Sequence, residues 1–198
     1  MIPRQNNFDV KLTNFIQNIF LLPDNVLEDV LGHFKYLEFP KNHFLLQRGK
    51  TCKHLWFMTK GVARYFYTNE EGKEMNTWFS LDTQVIADTT SFVSQEPSEE
   101  NIQLLEDSEM YSIEYRALQN LLQKHHSFAL WYIKLIEQHY VAQIEDRIAD
   151  LQFLNARQRY LKLLSLYPGI TNRISLGNIS SYLNITQETL SRIRAGKF

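Results

Sequence analysis

The pattern of apolar and polar positions divides the chain into a helical start, a strand-rich middle and a helical end. Over residues 8–32 the apolar positions recur at helical spacing, and Pro23 interrupts them, which predicts two helices. Over residues 36–113 the apolar runs are short and are separated by turn residues. Many short strands of this kind favour a β-barrel or sandwich over a parallel sheet.

A hairpin is the clearest strand prediction in the middle region. An apolar run over residues 62–67 leads into a Gly- and Asn-containing turn at 69–73. The residues after the turn alternate in two sets, as expected for a strand: Met75, Thr77 and Phe79 in one, Asn76, Trp78 and Ser80 in the other. Further strands are predicted at 55–58, 84–87, 102–105 and 110–113.

A long helix is predicted over residues 127–155, after a short amphipathic helix at 117–122, because no Pro or Gly occurs in that stretch. If continuous, it is about 40 Å long at the α-helical rise per residue. Apolar residues recur along it in steps of three or four: Ile133, Ile136, Tyr140, Ile144, Ile148 and Leu151. We interpret this apolar stripe as a coiled-coil-like seam between two subunits. The alternative is a helix that packs on its own barrel.

Two short helices are predicted near the C-terminus, with the spacing of a helix-turn-helix. Ser175 and Thr186 are suited to cap their N-termini, and Asn184 tolerates the left-handed conformation that a sharp turn requires. Apolar residues occupy the positions where the two helices would face each other, and a small residue, Ser180, lies at the crossing: Ile179, Leu183, Ile185, Leu190 and Ile193 form the apolar set.

The outer face of the second helix carries side chains that suit DNA recognition. Gln187, Glu188 and Arg192 can read base edges, because Gln pairs with adenine, Glu accepts from cytosine and Arg forks onto guanine. A second set of side chains suits phosphate contact, which fixes register without reading sequence: Thr189, Ser191, Arg194 and Lys197. The alternative interpretation is a plain α-hairpin with a polar outer face.

Charge is distributed unevenly. From residue 156 onward there are seven Lys and Arg against one acid, a net charge of +6, whereas the remainder has 14 bases against 21 acids, or −7. A basic C-terminal segment on an acidic body suggests a polyanionic partner. The lone Cys52 precludes an intramolecular disulfide and a cysteine-ligated metal or iron–sulfur site, and it fits a cytoplasmic protein. No apolar run is long enough to cross a bilayer, so no membrane association is expected.

The segment 185–193, Ile-Thr-Gln-Glu-Thr-Leu-Ser-Arg-Ile, resembles the recognition helix of the Crp/Fnr family of bacterial transcription regulators. This resemblance implies an α+β fold: an N-terminal β-roll of the cyclic-nucleotide-binding type with flanking helices, a long dimerisation helix and a C-terminal helix-turn-helix. It places a sensor-like domain at 1–126, the dimer helix at 127–155 and the DNA-binding domain at 156–198. It further implies a homodimer on a two-fold symmetric site in double-stranded DNA, contact with RNA polymerase, and DNA contact by Thr186 and the residues named above.

The effector pocket departs from the cyclic-nucleotide pattern of the family. That pattern has a Gly-Glu pair and a later Arg-Ser pair, which hold ribose and phosphate. The matching positions here are Ile86, Ala87, Asp88, Thr89 and Thr90, followed by Asn101. No Lys or Arg lies between Lys73 and Arg116, so a cyclic phosphate would meet carboxylates. We therefore expect an effector other than cyclic AMP, and no bound cofactor.

Two alternatives to a DNA-binding regulator follow from the sequence. One is a cupin-like metal-dependent enzyme, which would need two or three His and a carboxylate around one metal. His43 and His54 are eleven residues apart with no His-x-His pair near them, so we expect no metal site and no enzyme activity. The other is a degenerate family member that acts only through protein contacts.

Overall fold

The computed structural model describes residues 10–197, apart from the side chain of His139. Residues 1–9, which include the start of the helix predicted at 8–32, and Phe198 lie outside the described residues. The described chain begins with two helices, α1 (Val10–Ile19) and α2 (Asp24–Gly32), and Pro23 immediately precedes the second. The two helices predicted on either side of Pro23 are confirmed over the described residues.

Eight strands follow and form two four-stranded antiparallel sheets around one hydrophobic core, which we call the roll. The spatial order is β1-β8-β3-β6 in one sheet and β2-β7-β4-β5 in the other. The strands are β1 (Lys35–Phe39), β2 (Phe44–Leu46), β3 (His54–Lys60), β4 (Ala63–Thr68), β5 (Glu74–Ser80), β6 (Val85–Ile86), β7 (Asn101–Leu104) and β8 (Ser108–Glu114). The antiparallel β-roll predicted for the middle region is confirmed.

Helices from both ends of the chain pack against the roll. The ring of Phe15 in α1 lies 4.5 Å from that of Phe57 in β3. The indole of Trp131, which follows the roll in sequence, is buried and donates a hydrogen bond of 2.8 Å to the carbonyl oxygen of Ile16. The first contact joins α1 to the roll, and the second joins the first part of the long helix to α1, since a buried indole N–H needs an acceptor.

The β4–β5 hairpin is confirmed, with Gly72 at a positive φ of 78° in its turn, but the strict alternation predicted along β5 is wrong. Met75 is exposed and Asn76 is buried. The pairing shifts register between Tyr65 and Phe66, and a C-terminal helix covers the outer face of β5. With both faces of the strand covered, burial no longer follows a period of two.

Over residues 33–114, three elements were not predicted: β1, β2 and a short helix, α3 (Thr89–Ser94). Among the described residues, strand β1 pairs only with β8, and each of its five residues is exposed or half-buried, so no buried apolar run marks it. Helix α3 begins after Asp88, whose carboxylate accepts a hydrogen bond from the backbone N–H of Ser91. Its two leading threonines have weak helix propensity, which concealed the helix in the sequence.

The long helix is confirmed as one continuous rod over residues 126–153. It follows α4 (Tyr115–Lys124) and consists of α5 (His126–Leu135), a π-helical segment (Ile136–Val141) and α6 (Ala142–Phe153). The backbone stays in the right-handed helical region at both junctions. The helix ends at Leu154, where the chain becomes extended, and Asn155 then caps the next helix with a reciprocal capping box to Gln158.

The C-terminal segment contains α7 (Ala156–Leu166), a 3₁₀ turn (Ile170–Asn172), α8 (Leu176–Tyr182) and α9 (Gln187–Arg194). It shares a hydrophobic core with two roll residues, Val62 and Phe79. Polar contacts add to this docking, since the Asn76 backbone N–H donates to the Ser181 hydroxyl at 2.9 Å. The predicted domain limits of 1–126, 127–155 and 156–198 stay predictions. Among the described residues, no helix has both the length and the apolar character that crossing a membrane requires.

Candidate nucleic-acid interface and ligand pocket

The two short helices α8 and α9, which we call the helical pair, begin and turn where the sequence predicts. The Ser175 hydroxyl accepts from the Asn178 N–H at 3.2 Å, and the Thr186 hydroxyl accepts from the Thr189 N–H at 3.1 Å. Asn184 lies between the helices at a φ of 54°, in the left-handed region that the turn requires. Each cap satisfies a first-turn amide that the helix leaves unpaired.

The core of the helical pair is apolar and closed. Ile179, Leu183, Leu190 and Ile193 are all buried, Ile185 packs at their edge, and Ser180 is buried at the crossing. Residues of α7 and the 3₁₀ turn complete this core: Tyr160, Leu163, Ile170 and Ile174. Because α9 buries one face here, its opposite face must point to solvent.

That opposite face carries the side chains that were predicted to contact DNA. Thr189 is half-buried, and the others are exposed: Thr186, Gln187, Glu188, Ser191, Arg192, Arg194 and Lys197. Two of the predicted base-reading side chains pair with each other one turn apart, at 2.7 Å between the Arg192 guanidinium and the Glu188 carboxylate. The pair is well exposed, so solvent screens it, and opening it costs little.

The basic charge of the C-terminal segment is only partly available to a partner. Arg159 donates to backbone carbonyl oxygens, Lys162 pairs with Asp150 at 2.7 Å, and Arg173 pairs with acids of the roll. Four of the seven bases remain exposed: Arg157, Arg192, Arg194 and Lys197. Three of these exposed bases lie on or next to α9. The net charge of the C-terminal segment is therefore larger than the charge that its exposed surface offers to a polyanion.

A cavity of about 340 Å³ lies between the roll and the long helix. Strand β4 contributes Tyr65 and Tyr67 to its lining, and strand β5 contributes Thr77 and Trp78. The long helix closes the other side with residues between Tyr132 and Ile148. A cavity of this size, mostly apolar with a few polar groups, fits a small organic ligand.

The structure brings four of the six predicted pocket residues to this cavity: Ala87, Asp88, Thr89 and Thr90. Ile86 lies directly behind them, fully buried in the roll core. Asn101 lies outside the lining, where its side chain accepts from the Arg48 backbone N–H at 3.0 Å. Sequence reasoning missed the aromatic lining and Glu100, although Tyr65 and Tyr67 share one face of a predicted strand.

Two carboxylates face the cavity and differ in their surroundings. Asp88 caps α3 and also accepts from the Ser98 hydroxyl at 2.5 Å, so each of its oxygens accepts one hydrogen bond. Glu100 accepts a hydrogen bond from the Thr77 hydroxyl. Burial raises the pKa of Glu100 to about 7, and the charge of Asp88 acts in the same direction. The carboxyl group of Glu100 therefore stays partly protonated near neutral pH.

Arg147 links the cavity to the helical pair. It lines the cavity from α6, and its guanidinium lies 3.8 Å from the centre of the Tyr182 ring at the end of α8. It also donates a hydrogen bond to the Tyr182 carbonyl oxygen. Arg147 therefore contacts both the cavity and the helical pair.

The apolar stripe predicted for dimerisation lies largely at the surface of the protomer. Ile133, Tyr140, Ile144, Ile148 and Leu151 are all more than a third exposed, and Ile136 is half-buried. Part of the stripe also lines the cavity, including Ile136, Tyr140, Ile144 and Ile148. The helix therefore packs on its own roll and still leaves an apolar surface exposed along its length, which is typical of interaction sites.

Two of the histidines have close structural neighbours. The ring of His43 stacks on Phe39 at 4.4 Å, and His125 pairs with Asp29 at 2.6 Å. Over residues 10–197, no group of three or more His, Cys, Asp or Glu is arranged to hold a metal ion.

Comparison with known proteins identifies the fold. Residues 36–125 match the model of the cyclic nucleotide-binding domain. The structure is similar to the c-di-GMP responsive global regulator CLP of Xanthomonas campestris, with 15% identity, a TM-score of 0.68 and coverage of 88% of this chain and 91% of that one. It is also similar to FixK2 of Bradyrhizobium japonicum, with 16% identity, a TM-score of 0.69 and coverage of 82% of this chain and 83% of that one. A Crp/Fnr regulator of Eubacterium rectale is similar as well, with 14% identity, a TM-score of 0.69 and coverage of 90% of this chain and 87% of that one. No curated protein matches in sequence.

The roll is thus a domain of the cyclic nucleotide-binding type. The chain as a whole shares its fold with these three proteins, so the expected resemblance to Crp/Fnr regulators holds for the fold.

Proposed function

We propose that this protein is a sequence-specific DNA-binding transcription regulator that acts as a homodimer in the bacterial cytoplasm. The exposed polar face of α9, held by capped helix ends on a closed apolar core, supports the proposal most directly. Gln187, Glu188 and Arg192 enter the major groove and read bases. In a dimer, the two α9 helices would lie about 34 Å apart and meet successive major grooves of a symmetric site.

The apolar stripe of the long helix supplies the dimer interface in this proposal. Its exposed residues would bury one another across a two-fold axis, as in a parallel coiled coil. The resemblance to Crp/Fnr regulators also supports contact with RNA polymerase, for which no surface is assigned.

The test begins with selection of a preferred site from random DNA, followed by a gel-shift series on that site and on unrelated DNA. Arg192→Ala is expected to weaken binding to the selected site by roughly 1–3 kcal/mol and to relax specificity at one base pair. Lys197→Ala is the matched control, since it removes an exposed charge that contacts phosphate. It should weaken binding to all sequences alike and reduce the salt slope by about one unit.

The alternatives give different results in the same series. If Arg192→Ala weakens binding equally on all sequences, Arg192 contacts phosphate and its base-reading role is wrong. If selection enriches no sequence, the protein is the degenerate regulator that acts through protein contacts. Stoichiometric iron or manganese in the purified protein would support the alternative of a cupin-like metal-dependent enzyme.

A further inference from the structure

The lining of the cavity combines aromatic rings with carboxylates. Six aromatic side chains reach it: Tyr65, Tyr67, Trp78, Phe92, Tyr132 and Tyr140. Aromatic faces carry negative electrostatic potential and attract cations held over them, which is why organic ammonium ions are bound in aromatic pockets. Glu100 and Asp88 add carboxyl groups to the same lining.

Neither carboxylate in the lining is paired with a base of the described chain. Within the described residues neither Glu100 nor Asp88 makes an ion pair, and Glu100 accepts only one hydrogen bond, from Thr77. Arg147 is the single base in the lining, and its guanidinium is engaged with Tyr182. A buried carboxylate without a counter-charge is costly, and a bound cation removes that cost.

We propose that the cavity binds an organic ammonium ion whose charge pairs with Glu100 and whose apolar body packs between the aromatic side chains. The volume of about 340 Å³ accommodates an aryl-alkyl amine. A phosphate or carboxylate ligand would meet two acids against the single base Arg147, and a neutral ligand would leave Glu100 unpaired. The regulatory role of such a ligand rests on the proposed function, whereas its binding does not.

The experiment is calorimetric titration of the full chain, without DNA, at about pH 8 with three indole probes. Tryptamine is the cation, tryptophol the neutral analogue and indole-3-acetate the anion. We expect tryptamine to bind about tenfold more tightly than tryptophol, and indole-3-acetate to bind most weakly. Glu100→Gln should reduce the affinity for tryptamine to that for tryptophol.

Glu99→Gln is the matched control, because the neighbouring Glu99 is exposed and pairs with Arg48 at 2.9 Å on the outer surface. It should leave all three affinities unchanged. The proposal is overturned if indole-3-acetate or cyclic AMP binds as tightly as tryptamine, if none of the probes binds at millimolar concentration, or if Glu100→Gln has no effect. Specific DNA binding in the gel-shift series would still stand in each of those cases, so the two proposals fail separately.

Discussion

Arg173, which lies before α8, is a polar link between the C-terminal segment and the roll, and its removal tests how firmly the two are joined. Its guanidinium donates to both carboxylate oxygens of Asp82 at 2.7 and 3.1 Å. It also pairs with Glu106 at 2.5 Å and donates to the Gly61 carbonyl oxygen at 2.9 Å. One side chain therefore joins the segment before α8 to three loop residues of the roll.

The energetic effect of Arg173→Met follows from these contacts and their exposure. The side chains of Arg173, Asp82 and Glu106 are 28%, 42% and 31% exposed, so screening limits each ion pair to at most about 1 kcal/mol. The charged hydrogen bond to Gly61 adds about 1 kcal/mol. We expect a total loss of about 2–3 kcal/mol in the free energy of unfolding, roughly a 30- to 160-fold shift toward the unfolded state.

Thermal unfolding of the wild type and of Arg173→Met measures this loss. At near-neutral pH we expect Tm to fall by about 4–12 °C for a chain of this size. Arg157→Met is the matched control, since Arg157 is exposed on α7 and carries the same charge. It should leave Tm within about 1–2 °C of the wild type.

The pH dependence provides a second test of the same link. Burial opposes ionisation of Asp82, but the guanidinium of Arg173 outweighs it and holds the pKa of Asp82 below its usual value. A lowered pKa stabilises the fold above the unfolded-state pKa of about 4, and this contribution is lost as pH falls through the folded-state pKa. The difference between the two proteins should therefore shrink below about pH 4. Equal Tm values at neutral pH, or a difference independent of pH, would refute this account of the docking.

Two further changes test the cavity and the dimer stripe. Glu100→Gln should stabilise the protein by about 1–3 kcal/mol at pH 8 and leave it unchanged near pH 4.5 in denaturant titrations. The folded-state pKa of about 7 exceeds the ordinary 4.5, so stability falls as pH rises between these values, and a flat difference would contradict the burial of Glu100. The homodimer proposed above should dissociate in Leu151→Glu, as measured by sedimentation, because two carboxylates would be buried in the apolar seam. Gln152→Glu, one residue along on α6, should remain dimeric, and a dimeric Leu151→Glu protein would place the interface elsewhere.

Local patterns in the sequence determined the helical pair almost completely. Ser175, Thr186 and Asn184 perform the capping and turning roles that their chemistry predicts, and the alternation of apolar and polar residues along α9 assigned its buried and exposed faces. These properties depend on residues within one or two turns of each other, so no distant contact was needed to infer them. The long helix and the β4–β5 hairpin were predictable for the same reason.

Tertiary structure decided which residues the faces of the helices and strands pack against. Packing of α8 on β5 buries Asn76 and exposes Met75 against the local pattern. The fold turns Arg173 inward to acids of the roll, which lowers the charge available on the C-terminal surface. It also assembles the cavity from strands and a helix that are distant in sequence, so Glu100 acquires its raised pKa only through burial beside Asp88. Periodicity reports on neighbours along the chain, whereas burial and charge pairing depend on contacts between segments far apart in it, and only the folded chain fixes those contacts.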